Sequence, residues 1–415
     1  MPKSFPTSAT VDIRTQITDQ CALFARPDDD LRVDMLIAVG DRVAQGAPVL
    51  RSRRYPELTM VAPVAGEVAA VDLGPGKRLS QVLFFHDAAG DRHRHHLSGA
   101  RLPDSPEAMR EALLSAGLWP LIRTRPFGRV PLPQERPAAI FVMALDTRLD
   151  APPPQLALDG QLDAFAQGVR ALATLTDGPL YICHDGTAGI DEVCSVSARV
   201  RLVRVEPVHP RGLAGLQIAD RFPASVDAPV WDIHAEDVAG IGAFIETGLV
   251  PETRLVSISG SALRESRLVR CQPGADLRAL SFDIVRPGPH RLLSGSSLDG
   301  VEGRWLGPWR RQMAVVAGTG PERASHWFSA ALRRSSRPLP IIPTAALDHA
   351  FAGILPAALL VRALAANDAE TAARLGALSL LEEDVALADY LTAATPRLGI
   401  MLRAMLNRIA AEEVA

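Results

Sequence analysis

Lysine is almost missing from this 415-residue chain: only Lys3 and Lys77 occur, and 42 of the 44 basic residues are arginine. A GC-rich genome accounts for the bias, but lysine-dependent chemistry is excluded at nearly every position. Cysteine is scarce too, at Cys21, Cys183, Cys194 and Cys271, with no CxxC pair. Four scattered cysteines do not make a disulfide scaffold, and an iron–sulfur cluster needs several closely spaced thiolates. Cys183 and Cys194 flank His184 but lack a fourth close ligand, and Cys183 reads as a small core residue. No run of roughly 18–20 apolar residues is present to span a bilayer. The longest apolar stretch, Ile354 to Ala366, is interrupted by Pro356 and Arg362 and reads as a buried helix. The opening MPKSFPTSATVDIRTQ has no apolar core of signal-peptide type. The net charge of -3, with both signs mixed along the chain, gives no basic surface for nucleic acid. These absences predict a soluble protein of a reducing, cytoplasmic compartment.

What is present suffices for a sizeable core. The chain is 47% hydrophobic and 22% charged, and its length suits two to four domains at ~100–200 residues each. Residues about 30–97 are short β runs broken by glycine, proline and aspartate, ending in DRHRHH. Pro106 to Leu118 has helical apolar spacing, with Asp104 or Ser105 as cap. AAIFVMAL, Ala138 to Leu145, is a continuous apolar run of the buried parallel-strand kind. Helical Gly160–Leu175, strands PLYICH and VRLVRVEP, and helical Asp237–Thr247 follow, an alternation that indicates an α/β layer. From Thr253 the texture is β again. Ser335 to Pro343 reads as a linker, and the tail holds three helical stretches: LPAALLVRALAAND, DAETAARLGA and GIMLRAMLNRIAAEE.

The β unit resembles a biotinyl- or lipoyl-carrier domain, with LIAVGDRVAQGAPVL (Leu36 to Leu50) and MVAPVAGEVAAVDLGPGKRLSQVL (Met60 to Leu83) as its two halves. A carrier bears its prosthetic group on a lysine at the tip joining the halves. Here the tip is RSRRYPELT, Arg51 to Thr59, and a guanidinium cannot form the required amide. The fold is expected without the swinging arm, and Arg51, Arg53 and Arg54 become candidate docking residues. His93, His95 and His96 read as a solvated turn rather than a metal site. Gly240-Ile241-Gly242 lies in a helical pattern without the third glycine of a dinucleotide fingerprint, and reads as helix packing. There is no P-loop and no GxSxG. Two segments suit a quinone, which wants a stacking face and a donor for its carbonyl. One is VHPRGLAG with His209, Arg211 and Gly212; the other is VWDIHAEDV with Trp231 and His234. Phe127 and Arg129 are expected to face the first across a pocket.

Several collinear stretches together resemble the A-subunit family of the Na+-translocating NADH:quinone reductase. They are SAGLWPLIRTRPFGRVPLP, PAAIFVMALDT, VHPRGLAG, VWDIHAEDVAGIGAFIETGLVPETRLVSISG, HRLLSGSSLDG and ILPAALLVRAL…DAETAARLGALSLLEEDVAL, with GDxVxxGxxL and APxxGxV in the first domain. The related C-type component of the Rnf complex is disfavoured because its CxxC cluster motifs are absent. The resemblance implies an α/β multidomain chain. A barrel-sandwich hybrid domain spans 1–97 and a Rossmann-like domain 98–252. A small β-grasp (SLBB-like) domain follows at 253–334, then a linker and helical domain at 335–415. It implies a non-catalytic, cytoplasmic subunit, peripheral to the inner membrane, with no cofactor of its own. Flavins and iron–sulfur centres would sit on integral-membrane and flavin-bearing partners, which pass electrons from NADH to ubiquinone while transporting ions. A stand-alone quinone-binding or scaffold protein of a different redox complex is the alternative. The chain departs from the family pattern after Val316, at LDHAFAGILP and at TAATPRLG, which has no cysteine.

Overall fold

Alternating apolar residues from Gln20 onward build two facing antiparallel sheets. One orders strands Gln20–Phe24, Arg78–His86, Gly66–Gly74 and Arg42–Val43; the other orders Val33–Met35, Pro48–Ser52 and Thr59–Val61. Val33, Val49, Leu50, Val68, Val82 and Phe84 fill the space between them. The computed structural model describes residues 13–25, 31–96, 105–186, 189–191, 197–318, 344–393 and 396–412. Lys3, Cys194 and the expected linker Ser335 to Pro343 lie outside those residues. The hairpin tip carries arginines as expected, and Lys77 lies elsewhere, 3.4 Å from Asp34. The DRHRHH segment is more than a solvated turn. Arg92 donates to the Val250 carbonyl at 2.7 Å, and the His95 backbone N–H to the Gly248 carbonyl at 2.8 Å, tying the β unit to the next domain.

That next domain is doubly wound. Strands Val200–Arg204, Leu180–His184, Ala139–Met143 and Val230–His234 run parallel in that order, and Arg123–Arg125 closes the edge antiparallel. Ile140, Val142, Ile182 and Trp231 face the helices Pro106–Ser115, Leu162–Thr174 and Ala235–Thr247. Phe141, Met143, Tyr181 and Cys183 face the opposite layer with Ile218 of helix Ala214–Arg221. With both faces covered, the strands read as unbroken apolar runs. Cys183 is indeed a core residue, fully buried, with its thiol pushed up to about 12 by that burial. The Gly240-Ile241-Gly242 stretch is helix packing. A Cβ on Gly242 would lie 1.8 Å from the Ala164 carbonyl oxygen, and one on Gly168 would lie 1.9 Å from that of Val238.

The third domain is a six-stranded mixed sheet. Its order is Arg14–Thr15, Arg267–Cys271, Arg254–Ser259, Gln312–Ala317, His290–Ser294 and Val301–Glu302. The first strand comes from the N-terminus, so residues 14–15 belong to this sheet and not to the β unit in which 1–97 had placed them. The crossing is pinned by Gln272, whose amide donates to the Thr18 hydroxyl at 2.7 Å and the Thr18 carbonyl at 3.0 Å. The tail is helical as expected. Helices Ala357–Ala365, Ala369–Arg374 and Leu398–Glu412 match the three apolar stretches, and Ala345–Ala350 and Glu382–Thr392 add to them. Leu213 and Leu216 of the α/β domain share this helical core.

A buried ionic joint holds the helical domain to the α/β sheet. Arg125 is 0% exposed. Its Nε donates to Asp232 at 3.0 Å, and its Nη1 donates to Asp384 at 2.9 Å and to the Ser379 carbonyl at 3.0 Å. Arg123 bridges Asp232 at 2.6 Å and Glu383 at 2.7 Å. Asp384 also accepts from the backbone N–H groups of Leu381 at 2.8 Å and Gly215 at 3.1 Å. A Cβ at Gly215 would lie 2.1 Å from its Oδ2, so the carboxylate needs glycine there. Burial opposes ionisation of Asp232 and Glu383, but Arg123 and Arg125 outweigh it and hold both below the usual carboxylate range, Glu383 well below. Burial pushes Asp384 up to about 6, against the pull of Arg125.

Three outcomes follow from this packing. Gly242→Ala drives a methyl group into the facing helix backbone and should cost roughly 3 kcal/mol or more. An unchanged thermal midpoint would show that the helices can part. Arg125→Met leaves Asp384 without its cation and Asp232 with Arg123 alone, and should cost roughly 3–5 kcal/mol. The acid limb of stability separates the partners. Asp384 binds its proton more tightly folded than unfolded, so its contribution is full below about pH 4 and is lost as pH rises through about 6. Asp232 and Glu383 contribute in the opposite sense, and their share is lost as pH falls. Denaturant midpoints of wild type and Asp384→Asn, measured from acid to neutral pH, should therefore diverge, with wild type losing ground as pH rises; parallel profiles would refute the assignment.

Candidate functional site

In an open α/β sheet the ligand crevice lies beyond the carboxyl ends of the strands, where the strand order reverses. Here the reversal falls between Ala139–Met143 and Val230–His234. The recess at that point holds only about 70 Å³, and side chains fill the rest. The loop after the first strand, Leu145 to Pro154, has no glycine to admit a phosphate. Arg148 from that loop folds onto Asp146 at 2.5 Å. Arg311 reaches in from the third domain, 3% exposed, paired with Glu236 and with Asp237 at 2.7 Å. Trp309 closes the mouth. His234 caps helix Ala235–Thr247, its Nδ1 accepting from the Glu236 N–H at 3.2 Å. Burial, reinforced by Arg311 and Arg148, holds this imidazole well below its ordinary pKa. It is therefore neutral, with its proton on Nε2, which has no partner.

The larger recess is a cleft of about 810 Å³ where all four domains meet. The hairpin tip of the β unit forms one wall with Arg53, Arg54, Tyr55 and Met60. The α/β domain supplies Pro120 and the segment 127–133, the third domain Leu306, Pro308 and Trp309, and the last helix Arg403 and Asn407. The turn Thr124–Arg129 shapes the second wall. The Thr124 N–H donates to the Arg129 carbonyl at 2.9 Å, and the Gly128 N–H donates to the Thr124 carbonyl at 2.8 Å. Arg403 fixes the turn from the helical domain, donating to the Phe127 carbonyl at 2.7 Å while bound to Glu382 at 2.6 and 2.7 Å. The Trp309 indole N–H donates to the Pro120 carbonyl at 2.7 Å.

The residues expected to hold a quinone do not converge. Phe127 and Arg129 line the cleft; Gly212 and His234 line the small crevice. His209 lies half-buried, its pKa lowered by burial. Arg211 is exposed and sits 3.5 Å from Glu206. Trp231 is 0% exposed, its ring edge-on to Trp119 at 5.2 Å and its N–H donated to Glu135 at 2.7 Å. The strand alternation points it into the helix-covered core, and Phe127 and Arg129 border a different recess from Gly212 and His234. Of the candidate docking residues, Arg51, Arg53 and Arg54 are all exposed, and the last two also border the cleft. Sequence reasoning missed Trp309, which touches both recesses, and the ion set of Arg123, Arg125, Asp232 and Asp384. The one signal for that set was charge inside apolar segments: two arginines in PLIRTRPFG and acids in SLLEEDVAL.

Comparison with known proteins agrees with this architecture. Residues 6–86 match the family model of the NqrA N-terminal barrel-sandwich hybrid domain, and residues 105–250 match that of the NqrA second alpha/beta domain. The A-subunit of the Na(+)-translocating NADH-quinone reductase of Vibrio atlanticus is 30% identical over 417 residues, 92% of this chain and 91% of that one. Its counterpart in Tolumonas auensis is 31% identical over 424 residues, 94% and 93% of the two chains. That of Pseudomonas aeruginosa strain UCBPP-PA14 is 31% identical over 416 residues, 92% and 91%. The chain belongs to the NqrA family, the A-subunit family of the Na+-translocating NADH-quinone reductase.

Proposed function

We propose that this chain is a peripheral, non-catalytic subunit of a membrane-bound NADH:quinone oxidoreductase of the Na+-translocating type, positioned on the cytoplasmic face and holding no redox cofactor of its own. The observation that carries this reading is the filled switch point. A recess of about 70 Å³ is well below the ~300–1,000 Å³ of small-molecule sites, and Arg148, Arg311 and Trp309 occupy the place of a nicotinamide or flavin nucleotide. The cysteines agree. Cys21, Cys183 and Cys271 are buried, and burial raises each thiol far from the thiolate that a cluster requires. Among the described residues no helix is long and apolar enough to cross a membrane.

In this reading NADH, flavins, iron–sulfur centres, ubiquinone and the transported ion are handled by integral-membrane and flavin-bearing partners. This chain supplies a rigid docking body, with Arg51, Arg53 and Arg54 on a protruding tip. The third domain is read as β-grasp of the SLBB kind, because its first and last long strands, Arg254–Ser259 and Gln312–Ala317, lie parallel and adjacent.

Purified alone, the chain should be colourless and inert toward NADH with an artificial acceptor. As bait on detergent-solubilised membranes it should retrieve integral-membrane and flavin-bearing subunits. Arg51→Glu, at a position that does not line the cleft, should lower that recovery several-fold. Bound flavin with NADH turnover by the isolated chain would overturn the proposal.

A further inference from the structure

The four-domain cleft is not needed for a docking role, yet its chemistry is specific. Its volume of about 810 Å³ lies within the range of small-molecule sites. Its walls are largely apolar, with Leu23, Met60, Phe127, Leu306 and Trp309 facing the space. Five arginines border it, Arg32, Arg53, Arg54, Arg129 and Arg403, and no Asp or Glu is among the described lining residues.

Two of those arginines are already neutralised. Arg53 sits 3.4 Å from Asp34, and Arg403 is held by Glu382. Arg54 and Arg129 have no carboxylate partner among the described residues. Each guanidinium instead lies against an aromatic face, Arg54 at 5.4 Å from the Tyr55 ring centre and Arg129 at 4.7 Å from that of Phe127. Stacking of this kind fixes the guanidinium plane and leaves its N–H edges free for a planar acceptor. The Nε of Arg129 is buried without a hydrogen-bond partner among the described residues. Such a donor is costly until an acceptor reaches it. A carboxylate answers it with opposite charge and a bidentate pair of bonds, which a neutral carbonyl cannot supply.

We propose that the cleft where the four domains meet binds an amphiphile with an apolar tail and an anionic head, a long-chain carboxylate, with the head on Arg129 and Arg54 and the tail along the apolar walls. The inference does not rest on membership of a redox complex, because the whole site lies within this chain. Arg54 belongs to the β unit and Arg129 to the α/β domain, so an occupant joins two domains through its head.

Calorimetry on the full chain with dodecanoate, held below its micelle concentration, tests this. The expected result is saturable binding of one molecule per chain. Methyl dodecanoate, with the same tail and no charge, should bind about tenfold more weakly or worse, as should Arg129→Leu and the exposed-site variant Arg54→Leu toward dodecanoate. Met60→Trp, which puts a bulkier ring on the apolar wall, should weaken binding several-fold. Thermal melts of each variant identify misfolding, and Arg54→Leu keeps the test valid if Arg129→Leu does not fold. Equal binding of the methyl ester, or tighter binding of a short-chain neutral quinone unaffected by the arginine variants, would overturn the proposal. So would binding undiminished by Met60→Trp, or no saturable binding at all. A failed pull-down with intact dodecanoate binding would refute only the role in a redox complex.

Discussion

Arg125 has no exposed surface, and its guanidinium faces carboxylates brought from two different domains. Burying an ion costs several kcal/mol unless its hydrogen bonds are well met. That requirement fixes a great deal of structure. The strand Arg123–Arg125 must sit at the sheet edge beside Val230–His234, so that Asp232 can accept from both arginines. The helical domain must bring the Ser379 carbonyl and Asp384 to the other side of the guanidinium. Helix Ala214–Arg221 must carry glycine at its second position, so that the same carboxylate can approach the Gly215 N–H. The apolar contact of Leu213 and Leu216 with the helical core supplies adhesion, but it is the ion set that sets the register of the two domains.

Both recesses inherit their shape from this joint. Toward the crevice, Arg123 carries the network to Glu383, and these side chains occupy the space that an α/β sheet normally leaves for a nucleotide. Toward the cleft, the chain leaves Arg125 directly into the turn that presents Phe127 and Arg129. The helical domain grips that turn again through Arg403. A fold whose ordinary ligand crevice is closed thus gains a different opening, built between domains rather than at strand ends.

The parts of this structure that were legible in the sequence are those set by local pattern. The unbroken apolar run Ala138 to Leu145 marked a doubly covered strand, and the glycine turns around Gly40 and Gly66 marked the β unit. The pair Gly240 and Gly242 reads as packing because it lies in a helical pattern without a third glycine, and the facing backbone of Ala164 supplies the reason. What depends on distant partners was not legible. Arg125 and Asp384 are 259 positions apart, so nothing local marks them as a pair. The N-terminal strand Arg14–Thr15 is two residues long and takes its identity from Arg267–Cys271. The candidate site residues depend on distant partners in the same way. Trp231 and His234 were grouped by sequence spacing, but they sit on a strand whose alternation sends the tryptophan to the core and leaves the histidine at the strand end. The cleft draws its walls from four domains, and no single segment advertises it.

Trp309 shows how closely the two recesses are linked. Its indole lines both, and the Arg123 guanidinium lies over it at 5.8 Å while bound to Asp232 and Glu383. Its N–H is committed to the Pro120 carbonyl, at the base of the segment that leads into the edge strand. An occupant packed against the indole in the cleft would therefore press on a ring whose position is tied to the ionic joint. Moving that ring would break its bond to the Pro120 carbonyl and its contact with Arg123, whose guanidinium is itself held by two carboxylates. Trp309 is thus held as a rigid partition, and an occupant of the cleft must fit the ring where it stands. The discrimination the cleft exercises therefore rests with Arg54 and Arg129, two cations at its edge that have no carboxylate partner among the described residues.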